Sequence, residues 1–113
     1  MEEMKIIIVE GGSDRKRLLK VLAEPVQIIC TNGTVSTYRL EELVEPYEEY
    51  EVFVFLDADE SGEKIRALFK REYPEFIHLY TDKIYKEVEK TPYKILATIL
   101  LGADFKIHPE FLF

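Results

Sequence analysis

Cysteine is almost missing from this sequence: Cys30 is the single one, set in the apolar run VQIIC. One thiol excludes a disulfide framework within the chain and suits a reducing cytosol. In an apolar run it reads as a small buried hydrophobe. Long hydrophobic stretches are missing too, so no segment reads as a bilayer span. The first residues, MEEMK, lack the basic flank of a secretory signal. These absences lead us to expect a cytoplasmic protein with no membrane partner. Positive charge is scarce: 15 Lys and Arg stand against 22 Asp and Glu, a net charge of −7. Proteins that hold nucleic acid by phosphate neutralisation alone are usually basic. That mode is excluded here. Phosphate would be met through local positive patches or bound cations, and a partner protein supplying basic surface would fit the charge. Internal repeats, low-complexity tracts and linkers are also lacking.

What remains is a regular alternation. The chain has 113 residues, the size of one domain, and can bury roughly two thirds of its unfolded surface without a disulfide or metal. Apolar runs at 4–9, 26–30, 52–56 and 76–80 are short, rich in Ile, Val and Phe, and continuous, as in strands buried on both faces. Amphipathic stretches separate them. Leu18, Leu19 and Leu22 share a face after Ser13 as a cap. Leu40, Leu43, Val44 and Tyr47 recur with helical spacing. So do Ile65, Leu68 and Phe69 after Gly62, up to a stop at Tyr73-Pro74. The last helix has Thr91 as cap, Pro92 at its first position, Ile95, Leu96, Ile99 and Leu100 on one face, and Gly102 as stop. The order β-α-β-α-β-α-β-α predicts an α/β fold with a mainly parallel sheet of four strands flanked by helices. The tail DFKIHPEFLF is a candidate fifth, edge strand or an extended arm.

The chemistry is expected beyond the carboxyl ends of the strands, where open α/β sheets bind ligands. Glu10 ends the first predicted strand, in IIIVEGGSD. Asp57 and Asp59 end the third, in VFVFLDADESG. If those strands are neighbours, three carboxylates converge, and at least one stays protonated unless a cation intervenes. Oxygen-only ligands suit Mg²⁺, with Mn²⁺ as a substitute. Gly11, Gly12 and Gly62 then clear side chains from beside the carboxylates and leave helix-start N–H groups to meet a phosphate.

These two motifs, in this order, resemble the toprim domain shared by topoisomerases, bacterial-type primases and several nucleases. Its pattern is a strand ending in Glu-Gly, here Glu10-Gly11, then a strand ending in Asp-x-Asp with a glycine a few residues on, here Asp57-Ala58-Asp59 and Gly62. The intervening IICTNGTV resembles the family's second strand and its turn glycine, here Gly33. The resemblance covers about residues 4–83, the motif-bearing core of a single domain spanning 1–113, with a C-terminal helix and tail at 91–113. It implies a Rossmann-like fold, a Mg²⁺ site and a nucleic-acid substrate. Two positions depart from the pattern. Topoisomerase versions carry a third aspartate where this chain has Ser61. Many small toprim ribonucleases that mature ribosomal RNA carry a lysine where it has Gly12. Asp14 does match an acidic position of those nucleases and would be a further metal ligand. With no additional domains for strand capture or priming, the layout is nearest to a small, stand-alone nuclease of the bacterial or archaeal type.

Each residue also has a plainer reading. Glu10 alone would be an acid at a helix start, favoured by the macrodipole; together with Asp57 and Asp59 it reads as a site. Asp59 and Glu60 could be first-turn acids with Ser61 as cap, and Asp14 reads equally as an N-terminal helix acid. The acids Glu41, Glu42, Glu45, Glu48, Glu49 and Glu51 form a solvated face. Arg15, Lys16, Arg17 and Lys20, like Lys64, Arg66, Lys70 and Arg71, are solvated or face a phosphate backbone. His78 reads as a core or edge histidine and His108 as a tail residue. The seven tyrosines form no evident base-stacking platform. The leading expectation is a metal-dependent nuclease with Glu10, Asp57 and Asp59 as its catalytic residues. The alternatives are a regulatory toprim module that binds without turnover and, further off, a haloacid-dehalogenase-type phosphatase using Asp57 as nucleophile.

Overall fold

Four strands and four helices alternate along the chain in the computed structural model, which describes residues 4–33 and 36–113. Thr34 and Val35, the end of the quoted IICTNGTV, lie outside the described residues. The strands are β1 (Lys5–Val9), β2 (Val26–Cys30), β3 (Val52–Phe55) and β4 (Ile77–Leu79). The helices are α1 (Gly12–Val21), α2 (Thr37–Val44), α3 (Glu60–Glu72) and α4 (Tyr93–Gly102). The sheet is parallel throughout, in the order β2-β1-β3-β4.

The continuous apolar runs have the cause the sequence suggested: both faces of the sheet are covered. Ile7 and Val9 of β1 pack with Leu18 and Val21 of α1 and with Leu96, Ala97 and Leu100 of α4. Ile6 and Ile8 point the other way, against Leu40 and Val44 of α2 and Ile65 and Phe69 of α3. Alternate residues of one strand thus feed two separate cores. Leu19, expected on the inner face of α1, is 45% exposed, because Leu18, Val21 and Leu22 already fill the space under the helix.

Three end signals were displaced. Gly11, not Ser13, is the N-cap of α1, and Asp14 at the third helical position accepts a hydrogen bond from the Gly11 N–H at 3.0 Å. Pro92, not Thr91, caps α4. The Thr91 hydroxyl is buried and bonded to the Thr81 hydroxyl at 2.5 Å and the Glu87 carbonyl at 2.9 Å, which ties down the loop before the helix. Asp59, not Ser61, caps α3.

The tail is not a fifth strand of the sheet. It makes one antiparallel bridge, Leu22 to Ile107, and ends in a 3₁₀ turn at Pro109–Leu112. Phe105 is buried against Phe53, Ala23 N–H donates to the Lys106 carbonyl at 2.8 Å, and Phe111 packs on Tyr93. Its apolar residues close the bottom of the α1–α4 core instead of extending the sheet edge. Among the described residues no helix is long and apolar enough to cross a membrane.

The strand order decides where a ligand can sit. From β1 the chain passes outward to β2, then returns to place β3 on the other side of β1. The crevice between the carboxyl ends of β1 and β3 is therefore the topological switch point, where α/β folds of this kind bind ligands.

Candidate metal centre

Both acidic motifs open onto that crevice. Glu10 directly follows β1; Asp57 and Asp59 follow β3; and the two strands are hydrogen-bonded neighbours, with Ile8 opposite Val54. One carboxylate oxygen from each of Glu10, Asp57 and Asp59 lies within 4.8 Å of the other two.

Each acid is held by local structure. Asp57 is 7% exposed, and its Oδ1 accepts from the Val88 N–H at 2.8 Å. The same loop accepts from the Ala58 N–H through the Lys86 carbonyl at 2.5 Å. The irregular segment between β4 and α4 therefore clamps the Asp-x-Asp turn from outside. Asp59 caps α3 through its Oδ1, which accepts from the Gly62 N–H at 2.7 Å. Glu10 has fewer supports: its Oε2 is buried without a hydrogen-bond partner among the described residues.

The glycines act in two ways. Gly62 lies so close to β3 that a Cβ on it would stand 2.1 Å from the Asp57 carbonyl oxygen and 3.2 Å from Asp59 Oδ1. Its missing side chain makes room for the Asp-x-Asp turn itself. Gly11 and Gly12 have no described atom within 4 Å of a Cβ position, so the space above them is open. The N–H groups of Gly11 and Gly62 are engaged by Asp14 and Asp59, so Gly11 leaves an anion room more than a donor.

Electrostatics follow from crowding. Burial first, then a hydrogen bond shared with Asp57 and repulsion from Asp57, Asp59 and Asp14, push Glu10 up from 4.5 to about 7. Asp14 is raised to about 6, chiefly by burial, with the Gly11 N–H partly offsetting it. It stands beside the three-carboxylate group, with Oδ2 turned to Gly11. A divalent cation would supply what this arrangement lacks: a countercharge for three acids and a partner for the orphaned Glu10 oxygen. The all-oxygen donor set fits Mg²⁺ or Mn²⁺.

Arg66 is the residue the sequence reading misplaced. Grouped there with solvated cations, it is 1% exposed. Its guanidinium donates to the carbonyls of Leu56 at 2.9 Å, Leu79 at 2.6 Å and Val54 at 3.4 Å. It thereby ties α3 to the ends of β3 and β4, one residue before Asp57. The signal was present: Gly62, Arg66 and Phe69 recur at i, i+4 and i+7, and all three are buried. His78, in the edge strand β4, offers Nδ1 to Arg66 at 3.1 Å. Burial, then the charges of Arg66 and Lys70, lowers it to about 4, so it is neutral near pH 7. Arg17 is also occupied. It donates to the Thr91 carbonyl and lies 4.1 Å from the Tyr93 ring centroid.

The raised acids set a pH dependence for the metal-free protein. Between 4.5 and about 7 the folded state holds a proton on Glu10 that the unfolded state has released, so stability falls as pH rises through that window. Asp14 acts in the same sense from 3.8 to about 6. His78 opposes them: its folded value lies below 6.5, so its contribution grows from about pH 4 to 6.5. Glu10→Gln isolates the first effect. In urea unfolding with EDTA, the stability of the variant relative to wild type should rise from its low-pH baseline by on the order of 1–3 kcal/mol above pH 7. A difference that stays flat across this range would show that Glu10 is not crowded.

Comparison with known proteins agrees with this geometry. The toprim domain matches residues 5–91. The uncharacterized protein YusF of Bacillus subtilis strain 168 is 49% identical over 99% of this chain and 77% of its own length. Ribonuclease M5 1 of Ligilactobacillus salivarius strain UCC118 is 34% identical over 74% of this chain, but the match spans only 44% of that protein. A solved small TOPRIM domain protein from Bacillus stearothermophilus superposes with a TM-score of 0.94 at 50% identity, over 100% of this chain and 96% of that one.

Proposed function

Because this chain belongs to the toprim domain family, we propose that it is a metal-dependent phosphodiester-handling protein of the cytoplasm, a nuclease acting on RNA or DNA. The observation that carries this reading is the convergence of Glu10, Asp57 and Asp59 within 4.8 Å at the switch point of the sheet. The ribonuclease M5 relatives support the same substrate class. Asp57 and Asp59 would hold Mg²⁺ or Mn²⁺, with Glu10 as a third ligand or as the proton carrier, and Asp14 as a further ligand at the edge. When bound, the ion supplies charge neutralisation and polarises a phosphoryl oxygen. The chain's own parts do the rest. The open space over Gly11 and Gly12 admits a phosphate, the Val88 and Gly62 N–H groups fix the aspartates, and Glu10 can pass a proton to or from an oxygen beside it.

A second reading is a module that binds without cleaving: the match to ribonuclease M5 1 spans only 44% of that protein, so the match does not carry over its whole activity. The phosphatase reading, whose family places its aspartate motif on the first strand, is the weakest of the three. Asp57 ends the third strand, not the first, and the toprim pattern accounts for it.

The test is a screen with Mg²⁺ and Mn²⁺ on single- and double-stranded RNA and DNA, run beside thermal unfolding. Cleavage should require metal and vanish in Asp57→Asn/Asp59→Asn. Asparagine keeps an oxygen for the Val88 and Gly62 donors, so that variant should fold, melt higher than wild type without metal, and lose the metal-induced rise. For wild type, bound metal adds about 2.7 kcal/mol of stability at a hundredfold excess over Kd. Metal-dependent binding without cleavage selects the second reading; a wild-type melting curve unmoved by millimolar metal rejects the site.

A further inference from the structure

Beside the metal centre lies a groove of about 760 Å³, with Asp59, Glu60 and Glu63 on one side and Tyr80, Thr81 and Lys83 on the other. Asp59 belongs to both, so the groove borders the metal centre. Tyr80 follows the end of β4 and is 49% exposed. Its ring is not loose. One face rests on α3, with the buried Arg66 guanidinium 4.1 Å from the ring centroid and Lys70 Nζ at 5.8 Å. Arg66 is itself fixed by three backbone carbonyls, so this half-exposed ring is braced from behind.

A braced, half-exposed aromatic surface is what an unpaired nucleobase stacks on. The charges decide which part of a nucleotide enters. Three carboxylates repel a phosphate, and among the described residues Lys83 is the one cation lining the groove. Carboxylates do accept hydrogen bonds from the exocyclic amino groups of bases, as glutamate does from cytosine N4. We propose that this groove is a base-binding subsite in which Tyr80 stacks an unpaired, amino-bearing base while Glu60 or Glu63 accepts from its amino group. The phosphodiester next to that base then lies at the metal centre. The inference rests on the nucleic-acid reading above and adds the substrate class: a single-stranded segment, since a paired base has both stacking faces covered by its neighbours in the helix.

The chain has no tryptophan. Tyr80→Trp therefore places a sole indole in the groove. The variant is titrated, with Ca²⁺ replacing Mg²⁺, against short oligocytidine, oligouridine and abasic strands in ribose and deoxyribose forms, each carrying a dye for anisotropy. Oligocytidine should quench the indole, oligouridine should do so less, and the abasic strand not at all. The sugar giving the tighter binding identifies RNA or DNA as the source of the base. In parallel, Tyr80→Ala should bind oligocytidine roughly 5- to 150-fold more weakly, while its metal-induced thermal shift matches wild type. Binding without quenching, or quenching by the abasic strand, overturns the subsite and leaves the nucleic-acid reading standing. No anisotropy change with any of these strands overturns the subsite, and if duplex RNA and DNA carrying the same dye give none either, the nucleic-acid reading falls with it.

Discussion

Gly62→Ala should cost the fold on the order of 4 kcal/mol or more and abolish metal binding. The added methyl would stand 2.1 Å from the Asp57 carbonyl oxygen and 3.0 Å from its carbon. Both are backbone atoms, and no rotamer change relieves the contact. Either the first turn of α3 lifts away, breaking the Gly62-to-Asp59 cap, or the Asp-x-Asp turn moves, pulling Asp57 from the Val88 N–H. Each route separates the two aspartates from Glu10. Gly12→Ala is the matched control: its Cβ meets no described atom within 4 Å, so stability should be unchanged or slightly raised. Urea unfolding and Mn²⁺ titration of both variants decide the matter. A Gly62→Ala protein as stable as wild type, with its metal affinity intact, would mean that the close packing of α3 on β3 is wrong.

Glu10→Gln should lower the cleavage rate by roughly 10²- to 10⁴-fold on any substrate whose cleavage depends on Asp57. Glutamine keeps the size of the side chain and one acceptor oxygen but neither gives nor takes a proton at ordinary pH. The aspartates should fail differently. Asp57→Asn or Asp59→Asn keeps its bond to the Val88 or Gly62 N–H, loses charge, and should weaken metal affinity and rate together. Mn²⁺ titration of Glu10→Gln then assigns the role. Retained affinity with a lost rate identifies the proton carrier; parallel loss identifies a ligand. Cleavage at the wild-type rate would reduce Glu10 to a strand end before a turn.

The alternation of strands and helices, the burial of the sheet on both faces and the two acidic strand ends were all legible in local pattern. Continuous runs such as IIIV and VFVF report burial on two sides, and a carboxylate just past such a run has few structural uses. Local pattern does not say which strands pair. The convergence of Glu10 with Asp57 and Asp59 depended on β3 returning to the flank of β1, a matter of chain path across the whole domain. Arg66 was misread for the same reason: the carbonyls that accept from it belong to residues 54, 56 and 79, and only the assembled sheet ends bring them together. The Val88 N–H that holds Asp57 comes from a loop with no periodicity of its own. The tail has strand-like composition, yet its apolar residues found unfilled space beneath α1 and α4 before they found a sheet edge. Backbone pairing and polar satisfaction are made between distant segments, so the tertiary structure alone settled them.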